Sequence, residues 1–219
     1  MRYVIIAGGT IDLEFAKDFL SQRERDKMYI FACDKGYEAC EKLGVVPDAL
    51  IGDFDSAEVG VVERAKAAGV EIKRLNPVKD DTDVEAALVK AMAMAEPDDS
   101  IFILGGTGSR VDHILGNIAL LAMGVKNNRY VILLDSHNSI SVIKPVTVHI
   151  VDNKPGLYVS VFPYMGPVTG VTMEGFKYPL KDATIEGFNT LTVSNEVVED
   201  EGKIWFEGEG YLIVMETRD

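Results

Sequence analysis

The sequence predicts an α/β fold, with a mostly parallel α/β sheet domain at the N-terminus and an antiparallel β-sandwich domain at the C-terminus. Up to about residue 140, short apolar runs alternate with segments of helical periodicity, which is typical of a parallel sheet covered by helices. Beyond that point the helical periodicity ends, and short strand-like runs follow one another between turns rich in Gly, Pro, Asn and Asp. We therefore expect domains at 1–140 and 141–219.

Six apolar, β-branched runs predict the strands of the first domain: Tyr3–Ala7, Met28–Cys33, Ala49–Gly52, Val70–Leu75, Ile101–Leu104 and Tyr130–Leu134. Between them, apolar residues at helical spacing form stripes in 84–95 and 111–122, so we expect a helix in each segment. Thr82 and Glu85 form a capping box, which predicts that the first of these helices begins at Asp83.

Seven further runs predict the strands of the second domain: Ile140–Ile143, Val146–Val151, Tyr158–Phe162, Val168–Met173, Thr190–Ser194, Lys203–Glu207 and Tyr211–Met215. Several of them alternate with the two-residue period of a half-buried sheet.

The composition narrows the class of protein. Of 219 residues, 47% are hydrophobic, and 22 basic against 35 acidic side chains give a net charge of −13. Such a surface repels nucleic acid, so we expect no nucleic-acid partner. We see neither a membrane-length apolar run nor a signal peptide, and we expect a cytoplasmic protein without a membrane partner. Cys33 and Cys40 suit neither a disulfide framework nor a metal site and are expected to be free thiols.

Acidic residues gather in three loops, each of which follows an apolar strand. Asp53 and Asp55 lie in GDFDS, Asp81 and Asp83 in KDDTD, and Asp112 in GTGSRVDH. The carboxyl ends of parallel strands meet at one edge of the sheet, where ligands bind. Oxygen ligands of this kind suit Mg²⁺, which takes a few carboxylates together with substrate phosphates. The loops therefore predict metal-assisted phosphoryl chemistry.

Each of these loops also has a structural interpretation. On an extended backbone, Asp53 and Asp55 project to the same side and form a pair of metal ligands. The alternative is that they belong to a turn that is acidic without binding a metal. Asp83 suits a metal ligand, but it also suits the N-terminus of a helix, where the helix dipole favours a negative charge. Lys79 either pairs with a phosphate oxygen or is a solvated lysine. GGTGSRVDHILGN reads as a phosphate-binding loop without the Walker pattern, and Arg110 within it suits contact with phosphate or base.

In this order and spacing, the motifs resemble the thiamine pyrophosphokinase family, which moves a diphosphate group from ATP to thiamine and releases AMP. The resemblance covers nearly the whole chain. It rests on Asp34-Lys35-Gly36, Gly44-Val45-Val46-Pro47-Asp48, GDFDS, KDDTDVEAAL, GGTGSRVDHILGNIALL, GFKYPL and Ser194-Asn195-Glu196.

The resemblance implies Mg²⁺ as cofactor, ATP as co-substrate, and a homodimer whose active site is shared between subunits. Its metal-binding acids fall on Asp53, Asp55 and Asp83. One of these acids, or Asp112, would accept the proton of the thiamine hydroxyl, so these four residues form the expected catalytic set. The implied nucleotide contacts are Asp34, Thr82, Arg110, Asp112 and Asn117. The implied thiamine-binding residues are Ser194 and its neighbour Asn195.

Two other functions stay open at this point. One is diphosphate transfer to another hydroxymethyl heterocycle, such as a pterin, and the other is a non-catalytic sensor that binds nucleotide or thiamine. The chain also departs from relatives that stack an aromatic side chain on thiamine, because the residues after Ser194 read Asn-Glu-Val-Val-Glu-Asp.

Overall fold

The computed structural model describes residues 1–55, 59–76, 81–108 and 110–219, so Lys79 lies outside the described residues. The chain divides into two compact units, Met1–Ser136 and His137–Asp219. The fold class predicted from the sequence is confirmed in both.

The described part of the first unit contains six parallel strands: β1 (Arg2–Ile6), β2 (Met28–Cys33), β3 (Ala49–Gly52), β4 (Glu71–Arg74), β5 (Ser100–Leu104) and β6 (Tyr130–Leu134). Their order across the sheet is β4-β3-β2-β1-β5-β6. The chain thus moves outward from β1 to β4, then crosses back and continues on the other side of β1. This reversal leaves a crevice between the carboxyl ends of β1 and β5.

Helices cover both faces of this sheet. They are α1 (Leu13–Ser21), α2 (Gly36–Leu43), α3 (Val61–Ala67), α4 (Asp83–Met94) and α5 (Val111–Lys126). Side chains of α1, α2 and α3 share one core with Val4 and Ile6 of β1. On the opposite face, the Tyr3 hydroxyl donates to the carbonyl of Met94 at the end of α4 (3.0 Å). Alternate residues of β1 therefore face different helices, as the strand geometry requires.

The second unit is a sandwich of antiparallel strands: β7 (Asn138–Ile143), β8 (His149–Asp152), β9 (Tyr158–Tyr164), β10 (Val168–Glu174), β11 (Leu180–Ile185), β12 (Glu201–Trp205) and β13 (Tyr211–Thr217). One layer has the order β7-β13-β9 and the other β11-β10-β12-β8. Inward-facing apolar residues of both layers, including Val161 and Ile204, form one core. This is the β-sandwich that the strand pattern predicts.

Local predictions are mostly confirmed. Helix α4 begins at Asp83 as predicted, and the hydroxyl of Thr82 accepts from the Glu85 N–H (3.1 Å), so Thr82 is the N-cap and forms its half of the capping box. Both cysteines are buried, and no disulfide joins them. None of the helices in the described part of the chain is long and apolar enough to cross a membrane.

One predicted strand is wrong and another was missed. Thr190–Ser194 forms a turn beside β9, because Ser194 adopts φ +57°, outside the β region. The Val161 N–H still donates to the Thr192 carbonyl (3.2 Å), so the turn is bound to the strand without extending it. Strand β11 lies at the sheet edge and carries Lys181 and Asp182 on exposed positions, so the hydrophobic pattern did not reveal it.

Candidate active site

A cavity of about 980 Å³ opens in the first unit at the crevice between β1 and β5. Gly8 and Gly9 follow β1, and Gly105 and Gly106 follow β5. Most of the remaining cavity lining comes from the end of β2 and the residues after it, from the start of α4 and from the first three turns of α5. The cavity therefore lies at the edge where the sequence predicted that the acidic loops meet.

The acid group consists of four residues, Asp34, Asp53, Asp55 and Asp83. Each of the first three has a carboxylate oxygen within 4.8 Å of those of the other two. Asp34 follows β2 and the other two follow β3, the neighbouring strand. The carboxyl group of Asp83, the first residue of α4, lies within hydrogen-bonding reach of that of Asp34. All four acids thus converge from three separate segments.

Strained backbone holds the acid group together. Asp34 and Phe54 both have positive φ, +45° and +66°. The Phe54 N–H donates to Asp34 Oδ1 (3.2 Å), and the Asp55 N–H donates to Asp53 Oδ1 (3.1 Å). The side chains of Asp53 and Asp55 therefore meet through a turn at Phe54, and not through the extended backbone that their spacing suggested. Such strain persists only where the surroundings enforce it, and it is common at functional sites.

The acid group is electrostatically unfavourable without a cation. Burial raises the pKa of Asp34 to about 7, assisted by the hydrogen bond to Asp83 and by the charges of Asp83 and Asp53, while the Phe54 N–H opposes the rise. Carboxylates this close favour a proton or a metal ion between them. Oxygen donors at these separations fit a hard divalent cation such as Mg²⁺.

The family resemblance implies a nucleotide contact for Asp34 and a metal ligand for Asp83. The structure brings Asp34 to Asp53 and Asp55, and it places Asp83 against Asp34. The motif around Asp34 does not by itself indicate a metal ligand, because it carries one carboxylate and lies 19 residues before Asp53. Only the parallel pairing of β2 with β3 brings the two together.

The first turn of α5 carries the predicted pair Arg110 and Asp112. Arg110 donates from Nε and Nη2 to the two carboxylate oxygens of Asp112, at 3.2 and 2.6 Å. This pairing lowers the pKa of Asp112 to about 2, with a smaller contribution from the His113 N–H. Both side chains are exposed at the cavity, so the pair presents a fixed charge distribution to a ligand.

Asn117 also lines the cavity, yet it is only 7% exposed. Its Nδ2 donates to the Gly106 carbonyl (2.8 Å), so the amide is used to hold the loop after β5. A Cβ on Gly106 would lie 2.9 Å from that nitrogen, which explains why glycine stands there.

The predicted thiamine-binding residues lie in the second unit. Ser194 is exposed, and its N–H donates to Ser160 Oγ (3.0 Å). Asn195 is buried: its Oδ1 accepts from the Tyr178 N–H (3.0 Å) and its Nδ2 donates to the Tyr178 carbonyl (2.8 Å). These two bonds join the GFKYPL and Ser-Asn-Glu segments. They also bring the backbone of Tyr178, whose side chain is 62% exposed, against Asn195, the residue that follows Ser194.

The chain is similar to known proteins over its full length. Residues 20–133 match a family model for the thiamin pyrophosphokinase catalytic domain, and residues 146–211 match one for the thiamin pyrophosphokinase vitamin B1 binding domain. Thiamine pyrophosphokinase of Bacillus subtilis is 34% identical over 215 residues, 98% of each chain. Thiamine pyrophosphokinase 3 of rice (Oryza sativa) is 30% identical over 72% of this chain and 61% of its own.

Solved structures agree with these matches. The crystal structure of the Bacillus subtilis enzyme superimposes with a TM-score of 0.88 at 31% identity, covering all of both chains. That of thiamin pyrophosphokinase from Geobacillus thermodenitrificans gives 0.85 at 30% identity, covering this whole chain and 98% of the other. Both matched domains, in the same order and over nearly the whole length, show that the chain belongs to the thiamin pyrophosphokinase family.

Proposed function

We propose that the protein transfers a diphosphate group from ATP to the hydroxyl of thiamine, giving thiamine diphosphate and AMP. The observation that carries this proposal is the group of four converging carboxylates, of which Asp34 and Asp83 line the same cavity as two glycine-rich turns. Such a cavity suits a polyphosphate with its metal ion. The match to both a catalytic and a vitamin B1 binding domain supports the choice of substrates.

The acid group fits Mg²⁺ as the cofactor. Asp53, Asp55 and Asp83 were predicted as its ligands, and the position of Asp34 between them adds a fourth candidate. The ion would supply charge neutralisation for the phosphate oxygens and for the AMP leaving group. Because Asp34 has a raised pKa without a metal, we expect a bound cation to restore its ionised form.

The cavity residues would bind and orient the nucleotide. Helix α4 offers backbone N–H groups at its first turn, next to the Thr82 cap, and helix termini of this kind bind phosphate. Arg110 would contact a phosphate or the base, with Asp112 holding its guanidinium in one orientation. Alignment of the thiamine hydroxyl with the β-phosphorus of ATP supplies much of the rate enhancement in such a reaction, since the protein forms no covalent bond with the substrates.

Asp112 is poorly suited to accept the proton of the thiamine hydroxyl. Its pKa of about 2, caused by Arg110, makes it a weak base, and a base works best when its pKa lies near the working pH. We therefore assign Asp112 to nucleotide binding, and we place the acceptor of the thiamine proton among Asp53, Asp55 and Asp83.

We assign thiamine binding and dimerisation to the sandwich, 141–219, and nucleotide binding to 1–140. In a homodimer with a shared site, the cavity of one subunit would face Ser194 of the partner subunit. Val111 and Leu115, one turn apart on α5, support this arrangement because they are 67% and 63% exposed beside the cavity. Neighbouring apolar side chains left in solvent commonly mark a surface that a partner covers.

The decisive experiment measures AMP with the purified protein. We expect AMP only when ATP, thiamine and Mg²⁺ are all present, and one thiamine diphosphate for each AMP. Turnover with a hydroxymethyl pterin in place of thiamine would favour the pterin alternative. Binding of ATP without AMP release under any condition would favour the sensor. Sedimentation of the protein as a monomer at assay concentration, with full activity, would refute the shared site.

A further inference from the structure

The glycine-rich loop, residues 105–108 between β5 and α5, fits tightly against the turn that follows β1. Gly105 adopts φ +71°, a conformation that favours glycine. A Cβ on Gly9 would overlap the Gly105 carbonyl oxygen, and one on Gly108 would lie 3.1 Å from the Thr10 nitrogen. The loop therefore has little room for another conformation on this side.

Two side chains from elsewhere in the unit hold the middle of the loop. Asn117, on the second turn of α5, donates to the Gly106 carbonyl (2.8 Å). On the neighbouring residue, the Thr107 hydroxyl donates to Asp135 Oδ2. Asp135 directly follows β6, the strand paired with β5, and it does not line the cavity. The loop is thus held from a helix on one side and from a strand end on the other.

These contacts determine the direction of the peptide between Gly106 and Thr107. A trans peptide is planar, so its carbonyl oxygen and its N–H point in opposite directions. Asn117 binds this carbonyl, and the Thr107 N–H must therefore point away from Asn117. Within the described part of the chain, the N–H groups of Gly106 and Thr107 have no hydrogen-bond acceptor. Unpaired donors in a glycine-rich turn bind anionic groups such as phosphate.

We propose that Asp135 is a positioning residue for the nucleotide: through the Thr107 hydroxyl, it holds the glycine-rich loop in the conformation that binds the phosphates of ATP. Asn117 assists by orienting the Gly106 carbonyl. The inference rests on the proposed function for the identity of the nucleotide. It adds Asp135 and Thr107 to the residues on which ATP affinity depends, although Asp135 itself lies outside the cavity.

The test uses matched variants of the full-length protein. Thr107→Val keeps the side-chain shape and removes the hydroxyl, whereas Thr107→Ser keeps the hydroxyl. Asp135→Ala removes the acceptor, whereas Asp135→Asn keeps an acceptor oxygen. We expect Thr107→Val and Asp135→Ala each to raise the KM for ATP and its Kd about tenfold, with the KM for thiamine within twofold of the parent. Thr107→Ser and Asp135→Asn should keep ATP affinity within about threefold.

A double variant separates positioning from general damage. If the hydroxyl and the carboxylate act as one unit, Thr107→Val with Asp135→Ala should weaken ATP binding no more than the stronger single change. Additive losses, equal rises in both KM values, or unchanged ATP affinity in a folded Thr107→Val protein would each overturn the proposal. If Thr107→Val or Asp135→Ala does not fold, a tenfold loss in Asp135→Asn decides against it as well.

The Kd for Mg²⁺·ATP is measured by calorimetry, so this test does not depend on turnover. A parent protein that binds ATP without forming AMP would refute the proposed function and leave the loop measurement valid. A parent protein that forms AMP, with variants that bind ATP normally, would refute only the role of Asp135.

Discussion

Replacing Gly52 with alanine should damage the acid group while sparing the fold. Gly52 is the last residue of β3, directly before Asp53, and a Cβ there would overlap Asp34 Oδ1 and lie 2.9 Å from Asp34 Cγ. The backbone of Gly52 does not have positive φ, so alanine meets no conformational penalty of its own. The added methyl group therefore acts mainly on Asp34, and it also presses on the Phe54 ring, whose Cε1 would lie 3.2 Å away.

The size of the effect follows from the distances. Carbon atoms in contact are normally about 3.5–4.0 Å apart. Since the new Cβ would lie 2.9 Å from Cγ, the Asp34 carboxyl must move by at least about 0.6 Å, and its Oδ1 must move further. A misplacement of about 1 Å in an aligned site costs roughly 100-fold in rate, equivalent to about 2.7 kcal/mol. We expect kcat to fall by about that factor, and the Mg²⁺ requirement to rise.

AMP release at saturating ATP and thiamine, titrated with Mg²⁺, measures both effects. The matched control is Gly124→Ala, where the new methyl group would meet the Val131 side chain at the packing of α5 on β6, away from the acid group. Both variants should lower the melting temperature, but only Gly52→Ala should lower kcat strongly. If Gly52→Ala kept more than half of the parent kcat at ordinary Mg²⁺, or if both variants lost activity in proportion to stability, the role given to the acid group would be wrong.

Three further outcomes are expected. Asp55→Asn should abolish AMP formation with little change in melting temperature, because the Asp55 side chain is exposed. The control is Asp81→Asn, at another exposed position, which should retain activity. An active Asp55→Asn protein would count against the metal assignment. Asn195→Ala should lower the free energy of unfolding by about 1–3 kcal/mol in urea titrations, since it leaves the Tyr178 N–H and carbonyl without partners. Ser194→Ala should change the free energy of unfolding by less than about 0.5 kcal/mol, yet it should raise the KM for thiamine. Burial raises the pKa of the Cys40 thiol to about 12, so Cys40 should resist alkylation in the folded protein. At pH 8, mass spectrometry should show that iodoacetamide modifies Cys40 in urea but not in the native protein. Rapid labelling of the native protein would contradict the buried position of Cys40.

The sequence by itself determined the features that depend on neighbouring residues. The alternation of strands and helices, the start of α4 at Asp83 and the change to a sandwich follow from periodicity and capping, which act over a few residues. The acidic loops could be placed on one edge because parallel strands all end there. The order of the motifs was sufficient to indicate the family.

Tertiary structure decided what depends on pairing between distant segments. The approach of Asp34 to Asp53 requires β2 to pair with β3, and the bonds of Asn195 to Tyr178 require the turn beside β9 to meet the segment after β10. The exposure of Val111 and Leu115 contradicts the buried face that their spacing suggests, because burial depends on what packs against a helix. In the same way, the link from Thr107 to Asp135 joins residues 28 apart, and only the pairing of β5 with β6 brings them into contact.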